Sequence, residues 1–450
     1  MGTMDSLDGR EKHMNIILLS GGSGKRLWPL SNEIRSKQFI KLFRDEEGQY
    51  ESMVQRVYRQ ITTVDNEALV TIATSKSQVS AIRNQLGDKV SVCVEPCRRD
   101  TFPAIVLAAA YLHDEKGVSL DESVAVCPVD PYVSNAYYEA VGKLGKLVEQ
   151  DAANITLMGI EPTYPSEKYG YIIPQTSEEV SDVKAFKEKP DTDTAKQYIE
   201  QGALWNAGVF AFKLRYLLEK AHSMIEFTDY RDLYAKYDEL EKISFDYAVV
   251  EKEESIQVMR FAGDWKDVGT WNMMAEVMSD VAKGNVTLDE TCENTNVINE
   301  LDIPILCMGC KDLIIAASSD GILVADKQQS GYMKPYVEKI SVDVRFAEKS
   351  WGTYTIMGVQ SKSLTIQVTL NAGNSMKYHS HERRDEVWTV IEGTGRTIVD
   401  GMEQNVKPGD VVTIAAGCKH TLIADTDMKV IEVQVGDEIS RDDKQVFSLE

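Results

Sequence analysis

The sequence predicts an α/β amino-terminal domain with a mostly parallel sheet, then a short β connector of β-helix-like character, then an all-β barrel. Three observations carry this. From residue 14 to about 275, apolar runs of strand length alternate with helical patterns, which calls for a sheet covered on both faces. Between 286 and 340, short apolar strands at 296–298, 303–307, 313–316 and 321–324 recur between Gly and Asp turns. From about 346 the apolar segments are strand-like, and turns at Gly373, Gly393-Thr394-Gly395, Asp400-Gly401 and Pro408-Gly409 give a small-barrel rhythm. Domains are therefore expected at 14–280, 286–340 and 346–450, with 328–334 as a loop or linker.

Composition narrows the function. With 450 residues, 43% of them hydrophobic, the chain can bury two or three cores. Its 49 basic against 71 acidic residues leave a formal charge of −22, which argues against nucleic-acid and anionic-membrane partners. No run reaches the ~20 apolar residues that cross a bilayer. The stretch MGTMDSLDGREKH lacks an apolar core, so it is no signal peptide and reads as an expression leader, with Met14 as the natural start. Seven cysteines include one C-x-x-C, Cys307 to Cys310, in an apolar stretch without a second pair at zinc spacing. They read as reduced thiols in a cytoplasmic protein.

Taken in order, the first element is the apolar run 15–19, one buried parallel strand. It enters Gly21, Gly22, Ser23 and Gly24, then Lys25 and Arg26. Glycines that let backbone N–H groups face an anion, followed by cations, are the layout of a phosphate cradle. It is not a Walker A loop, because Leu19 stands where the first Gly is required and Arg26 where Ser/Thr is. Nor is it a dinucleotide fingerprint, because Leu27 replaces the last Gly. Six cations between Lys25 and Arg44 (the others are Arg26, Arg35, Lys37 and Lys41) against one acid, Glu33, suit a triphosphate. Glycines and charges alone would also fit a tight turn beside a solvated basic helix.

The stretches 68–74 and 91–94 read as strands, 104–112 as a buried helix and 123–127 as another strand. Ligands of such sheets bind at the carboxyl ends of the strands, where the glycine loop and Asp130 lie. An acid there is a natural Mg²⁺ ligand, although Asp130 before Pro131 also reads as a turn. Asp100-Thr101 reads as a helix N-cap. In the barrel, His379 and His381 in H-x-H share one strand face, and with Glu386 and His420 they suit zinc or another divalent metal. The same histidines could line a metal-free pocket.

The longer motifs are more specific than these parts. L-S-G-G-S-G-K-R-L-W-P-L-S followed by Lys37-Gln38-Phe39 resembles the signature loop of sugar-1-phosphate nucleotidylyltransferases, and among them the mannose-1-phosphate guanylyltransferases. Ser36 replaces the Pro usual in that family. Glu95-Pro96-Cys97-Arg98-Arg99-Asp100-Thr101 resembles its E-P-x-x-R-N-T segment, with Asp100 for Asn, and 127–130 its P-x-D stretch, with Pro131 for His. The stretches 167–172 (EKYGYI), 186–190 (FKEKP) and 205–210 (WNAGVF) follow in family order, and 263–271 (GDWKDVGTW) closes the series. Gly373, His379, His381, Glu386 and Gly393 fit the first cupin motif. Gly409, Gly417 and His420 fit most of the second, with Ala415 and Ala424 as departures. The carboxyl-terminal part resembles the type II phosphomannose isomerases fused behind guanylyltransferases. It departs from them in having His379 for Gln and no Y-G-R tail after Asp442-Asp443.

The resemblance covers nearly the whole chain from Met14. It implies a Rossmann-like nucleotidyltransferase domain and a cupin barrel, acting on GTP and mannose 1-phosphate to give GDP-mannose and pyrophosphate. Arg26 and Lys37 would serve the triphosphate, with Gly21, Gly22, Gly24, Lys25, Glu95, Arg99 and Thr101 at the nucleotide. Gly170, Glu188, Lys189 and Asn206 would hold the sugar phosphate, and Asp130 and Asp267 would hold Mg²⁺. The cupin would be a mannose-6-phosphate isomerase or a structural or regulatory module, and the assembly a homodimer or higher homo-oligomer. The rival readings are a transferase for another sugar phosphate or nucleotide, and a non-catalytic sugar-nucleotide sensor.

Overall fold

The first apolar run becomes the strand Asn15–Ser20, flanked on both sides by parallel neighbours, Leu69–Ser75 and Ser123–Pro128. The structure is a computed structural model that describes residues 13–22, 24–340, 344–440 and 442–448, with Gly24 and Lys25 described by backbone only. The leader through Lys12, and Ser23 of the loop, lie outside the described residues. The chain divides into two compact units, one from 1–21, 44–76 and 88–268, the other from 22–43, 77–87 and 269–450.

The first unit is built on a nine-stranded sheet. Its spatial order is Ser91–Glu95, Leu69–Ser75, Asn15–Ser20, Ser123–Pro128, Leu204–Lys213, Ile155–Ile160, Ile256–Phe261, Val180–Lys187 and Tyr171–Pro174. The sheet is mixed: its first four strands are parallel, and Leu204–Lys213 inserts antiparallel between Ser123–Pro128 and Ile155–Ile160. The buried helix read at 104–112 spans Thr101–Asp114 and is apolar on nearly every side. It needs that composition because it sits inside the main hydrophobic cluster, against the strands Asn15–Ser20, Leu69–Ser75 and Ser91–Glu95 on one side and the helix Leu214–His222 on another.

In the second unit, the connector strands Ala282–Lys283, Asn296–Asn299 and Leu313–Ser318 stack in parallel, as do Val286–Leu288 and Ile305–Cys307. That is the β-helix-like pairing expected of successive short turns. The segment expected as a loop at 328–334 instead forms a 3-10 turn, Gln329–Tyr332, and a one-turn helix, Lys334–Val337. The Asp326 carboxylate accepts N–H bonds from Gln328 and Gln329, and Pro335 sits in the first turn, where its missing N–H costs nothing. The barrel pairs a six-stranded with a five-stranded sheet, and Trp388, Leu422, Val430 and Leu370 lie in the core between them.

Arg35, counted above among the loop cations, is only 6% exposed and serves structure instead. Its guanidinium donates to both oxygens of Glu300, at 2.8 and 3.1 Å, and lies 4.9 Å over the Phe346 ring. Asn32 beside it donates to Asp320 at 2.7 Å and to the Phe346 carbonyl at 3.1 Å. Arg35→Met leaves Glu300, Glu348 and Asp320 without their cation, so it should destabilise the second unit by about 3–5 kcal/mol. Chemical denaturation followed by circular dichroism checks this, and an unchanged midpoint would contradict it.

Candidate functional site

The glycine loop after Gly21 is held by a buried polar network in the second unit. Ser36 Oγ donates to the Gly22 carbonyl at 3.1 Å. Gln78 Nε2 donates to Ser36 Oγ at 2.9 Å and to the same carbonyl at 3.3 Å. Gln38 Nε2 donates to Gln78 Oε1 at 3.2 Å. The Ser36 hydroxyl therefore does a job that the proline usual in the family cannot, and Gln78, marked by no motif, is part of the scaffold. A Cβ at Gly21 or Gly22 would meet no described atom within 4 Å, so the loop faces open space. Arg26 is exposed on the turn Gly24–Leu27, and Lys37 opens the 3-10 turn Lys37–Phe39. Trp271, the last residue of the GDWKDVGTW motif, donates its indole N–H to the Trp28 carbonyl at 2.9 Å.

In the first unit, Asp130 follows the strand Ser123–Pro128. The short strands Pro131–Val133 and Trp265–Asp267 pair antiparallel and set Asp267 opposite Pro131. This ladder brings two half-buried acids, 137 residues apart in sequence, to one edge. Their donor set, carboxylate oxygens at strand ends, fits Mg²⁺.

The sugar-phosphate candidates also converge. Asn206 N–H donates to the Gly170 carbonyl at 2.8 Å, which ties the tyrosine-glycine stretch to the W-N-A-G stretch. A Cβ on Gly170 would stand 2.5 Å from Glu188 Oε2, so a side chain there would push the Glu188 carboxylate from its place. Glu188 is buried, with Lys189 Nζ on Oε1 and, among the described residues, no partner on Oε2. Lys189 has φ +45, an uncommon conformation for a residue with a side chain. Asp246, which the sequence reading missed, accepts from Asn206 Nδ2 at 2.7 Å, while Asn206 Oδ1 accepts the Gly208 N–H at 3.0 Å. Those two partners fix which way the Asn206 amide points. Around them stands an aromatic wall, with Trp205 ring centroids 4.9 Å from Tyr169, 5.0 Å from Tyr164 and 6.3 Å from Trp265. Its signal was the recurrence of Trp and Tyr in the three motifs.

Of the nucleotide candidates, Glu95 is buried and accepts from the Tyr237 hydroxyl at 2.8 Å. Arg99 donates to the Asp238 carbonyl, and Thr101 Oγ1 accepts the Phe245 N–H at 2.8 Å. All three brace 237–245, the segment that delivers Asp246. Asp100 caps the helix Thr101–Asp114 at φ +69 and ψ −172, a backbone region that residues with a side chain rarely enter.

In the barrel, His379 pairs in register with His420. Among the described residues, His379, His381 and His420 form the group able to hold a metal, with ligand atoms within 4.8 Å of one another. Among the described residues, the buried His420 Nε2 finds no hydrogen-bond partner, as expected of an atom built to ligate. Glu386 stands 3.2 Å from His381 Nε2 and 3.4 Å from His420 Nε2. It also accepts from Arg384 Nε at 3.1 Å and Trp388 Nε1 at 3.1 Å. Burial pulls His379 down to about 3 and lowers His381, so both rings are neutral near pH 7, the state a metal requires. His379 and His381 open on a cavity of about 970 Å³ that is also lined by Arg345, Lys349, Arg384, Glu432 and Lys444. Burial pushes Glu432 up to about 8 and pulls Lys444 down to about 8. The cysteines of the connector, by contrast, are free thiols, with Cys292 Sγ donating to Asp289 at 3.2 Å.

Known proteins share this architecture. Residues 15–284 match the family described as nucleotidyl transferase, and 366–434 match the cupin domain. The chain belongs to the nucleotidyl transferase family, with a cupin behind the catalytic fold. Mannose-1-phosphate guanylyltransferase ManC of Salmonella typhimurium is 28% identical over 96% of this chain and 97% of its own length. Xanthan biosynthesis protein XanB of Xanthomonas campestris pv. campestris is 30% identical over 95% and 96%. A crystal structure described as mannose-1-phosphate geranyltransferase from Thermus thermophilus is 29% identical, with TM-score 0.59 over 73% of this chain and 99% of that one. No described helix is long and apolar enough to cross a membrane.

The Asp246 environment carries a pH signature. Burial, then repulsion from Glu188, raises its carboxyl to about 6, against the stabilising pull of Asn206 and Lys189. The folded state thus holds this proton more tightly than the unfolded chain does. The stabilisation is complete below the ordinary value of 3.8 and is lost as pH rises toward about 6. Asp246→Asn should remove that slope. Its melting temperature relative to the wild type should climb between pH 4 and 6 and level off above, as calorimetric scans at stepped pH would show. Parallel curves would contradict it.

Proposed function

We propose that this chain is a mannose-1-phosphate guanylyltransferase, converting GTP and mannose 1-phosphate to GDP-mannose and pyrophosphate. The end-to-end likeness to ManC carries the reading. It is supported by motifs that the first unit gathers into a single cluster of Gly170, Glu188, Lys189 and Asn206. A phosphate oxygen of mannose 1-phosphate attacks the α-phosphorus of GTP, the bond to the bridging oxygen breaks, and pyrophosphate leaves with its electron pair. Positioning and charge neutralisation suffice for such a displacement.

The roles follow the residues. Arg26, Lys37, Lys25 and the N–H groups of Gly21, Gly22 and Gly24 serve the phosphates of GTP. Glu95, Arg99 and Thr101 serve the nucleoside through the segment they brace. Asn206 and the unpartnered oxygen of Glu188 take sugar hydroxyls, and Lys189 takes the sugar phosphate. Asp130 and Asp267 hold Mg²⁺, which supplies neutralising charge when bound. Use of a nucleoside triphosphate, together with seven free cysteines, fits a cytoplasmic setting.

Pyrophosphate release is measured across a matrix of nucleoside triphosphates and sugar 1-phosphates with Mg²⁺. Release confined to GTP with mannose 1-phosphate is expected. Release with another pair would overturn the substrate assignment, and silence would favour a sensor. Asp267→Asn should lower turnover ~10²–10³-fold, the scale of losing one transition-state charge contact, while nucleotide affinity changes far less.

A second activity is favoured by the cation-lined cavity beside the barrel histidines: isomerisation of mannose 6-phosphate. Arg345, Lys349 and Lys444 would take the phosphate, and the histidines a divalent metal, zinc being suited to imidazole nitrogens. Interconversion of mannose 6-phosphate and fructose 6-phosphate by the metal-loaded protein, abolished by chelation, is the expected outcome. Its absence would leave the barrel without this activity.

A further inference from the structure

The barrel histidines carry a constraint that their proximity alone does not reveal. His379 Nδ1 lies 2.6 Å from the Lys377 carbonyl and His420 Nδ1 lies 2.9 Å from the Cys418 carbonyl, while His381 Nδ1 contacts the Asp443 carbonyl. A carbonyl only accepts, so each Nδ1 carries the proton and each Nε2 keeps its lone pair. Those lone pairs are not equivalent. His420 Nε2 has no hydrogen-bond partner, whereas His381 Nε2 lies 2.9 Å from Arg384 Nη2 and accepts its N–H. One nitrogen lone pair cannot serve both an N–H and a metal ion.

The same guanidinium donates through Nε to Glu386 Oε1 at 3.1 Å and through Nη1 to the Ser440 carbonyl at 2.9 Å. It therefore spans two of the candidate ligands, one on each edge. We propose that Arg384 is the resident cation of this site, and that a divalent metal ion gains the third imidazole only by displacing the guanidinium from His381. The two cations occupy the site alternately. Arg384 lines the cavity of about 970 Å³, so the displaced guanidinium has room to move into. The proposal stands on the barrel alone and does not depend on the nucleotidyl-transfer reading.

The sign of the effect makes it testable. A group that merely supports metal ligands weakens binding when it is removed, typically 10–100-fold. A competitor strengthens binding when it is removed. The full-length protein, stripped with chelator, is titrated with Co²⁺ alone by calorimetry and visible absorption. Arg384→Leu should bind Co²⁺ ~10-fold more tightly than the wild type, about 1.4 kcal/mol. Arg384→Lys keeps the charge but loses the fork, so it should also tighten binding. Simple charge repulsion predicts no change for the Lys variant.

In the Arg384→Lys background, His381→Ala should cost ~10-fold more affinity than it does in the wild type, because the lone pair is then free beforehand. Within the wild type, His420→Ala should cost ~10-fold more than His381→Ala, a comparison that needs no Arg384 variant to fold. Weaker or unchanged binding in both Arg384 variants would overturn the proposal. So would an additive His381 effect, or equal losses for His381→Ala and His420→Ala.

Discussion

The second unit depends on a buried arginine. Arg35 comes from the segment after the glycine loop, Glu300 from the connector, and Phe346 and Glu348 from the first barrel strand. Burial alone would draw the guanidinium toward neutrality, but Glu300, Glu348 and Asp320 outweigh it and keep it charged. A planar fork satisfied on both nitrogens by one carboxylate and stacked on a ring fixes direction as well as distance. Three segments far apart in sequence are thereby referred to one atom group, and the residues between Asn32 and Ser36 inherit their positions from it. The Ser36–Gln78–Gln38 network then passes this order to the carbonyl of Gly22.

The sugar-phosphate cluster in the first unit is arranged on the same principle, with polar groups made directional by partners behind them. Asn206 could present either its oxygen or its nitrogen. Asp246 on one side and the Gly208 N–H on the other leave a single orientation. Glu188 is pinned through one oxygen, so its other oxygen stays buried and unsatisfied, a cost of roughly 1–3 kcal/mol that a ligand hydroxyl would relieve. Gly170 completes the arrangement by leaving room where any Cβ would strike that oxygen.

The barrel is arranged differently. Its three imidazoles are oriented by backbone carbonyls at Nδ1, and its acids and cations are buried close to one another. Glu386 is shared among Arg384, Trp388 and two histidines, so nothing nearby can change charge without changing the rest. Such a site answers to cations and anions together.

The sequence by itself determined the strand–helix order, the barrel and the motif residues, because each rests on short-range information: apolar period, turn chemistry, or contiguous residues at fixed spacing. The Asn15–Ser20 strand, the Thr101–Asp114 helix, and Glu188, Asn206 and His379 were all legible that way. The sequence misjudged Arg35, because a charge count records sign but not burial. It passed over Asp246 and Gln78, because neither has a spacing that marks it, and the H-x-x-R-x-E-x-W spacing of His381, Arg384, Glu386 and Trp388 did not tell that Arg384 bonds His381. Only the tertiary structure decided those. The bonds of Asn206 to Asp246 and of Gln78 to Ser36 join residues distant in sequence and exist only once the chain has folded, and the Arg384–His381 bond needs side-chain directions that a spacing does not give.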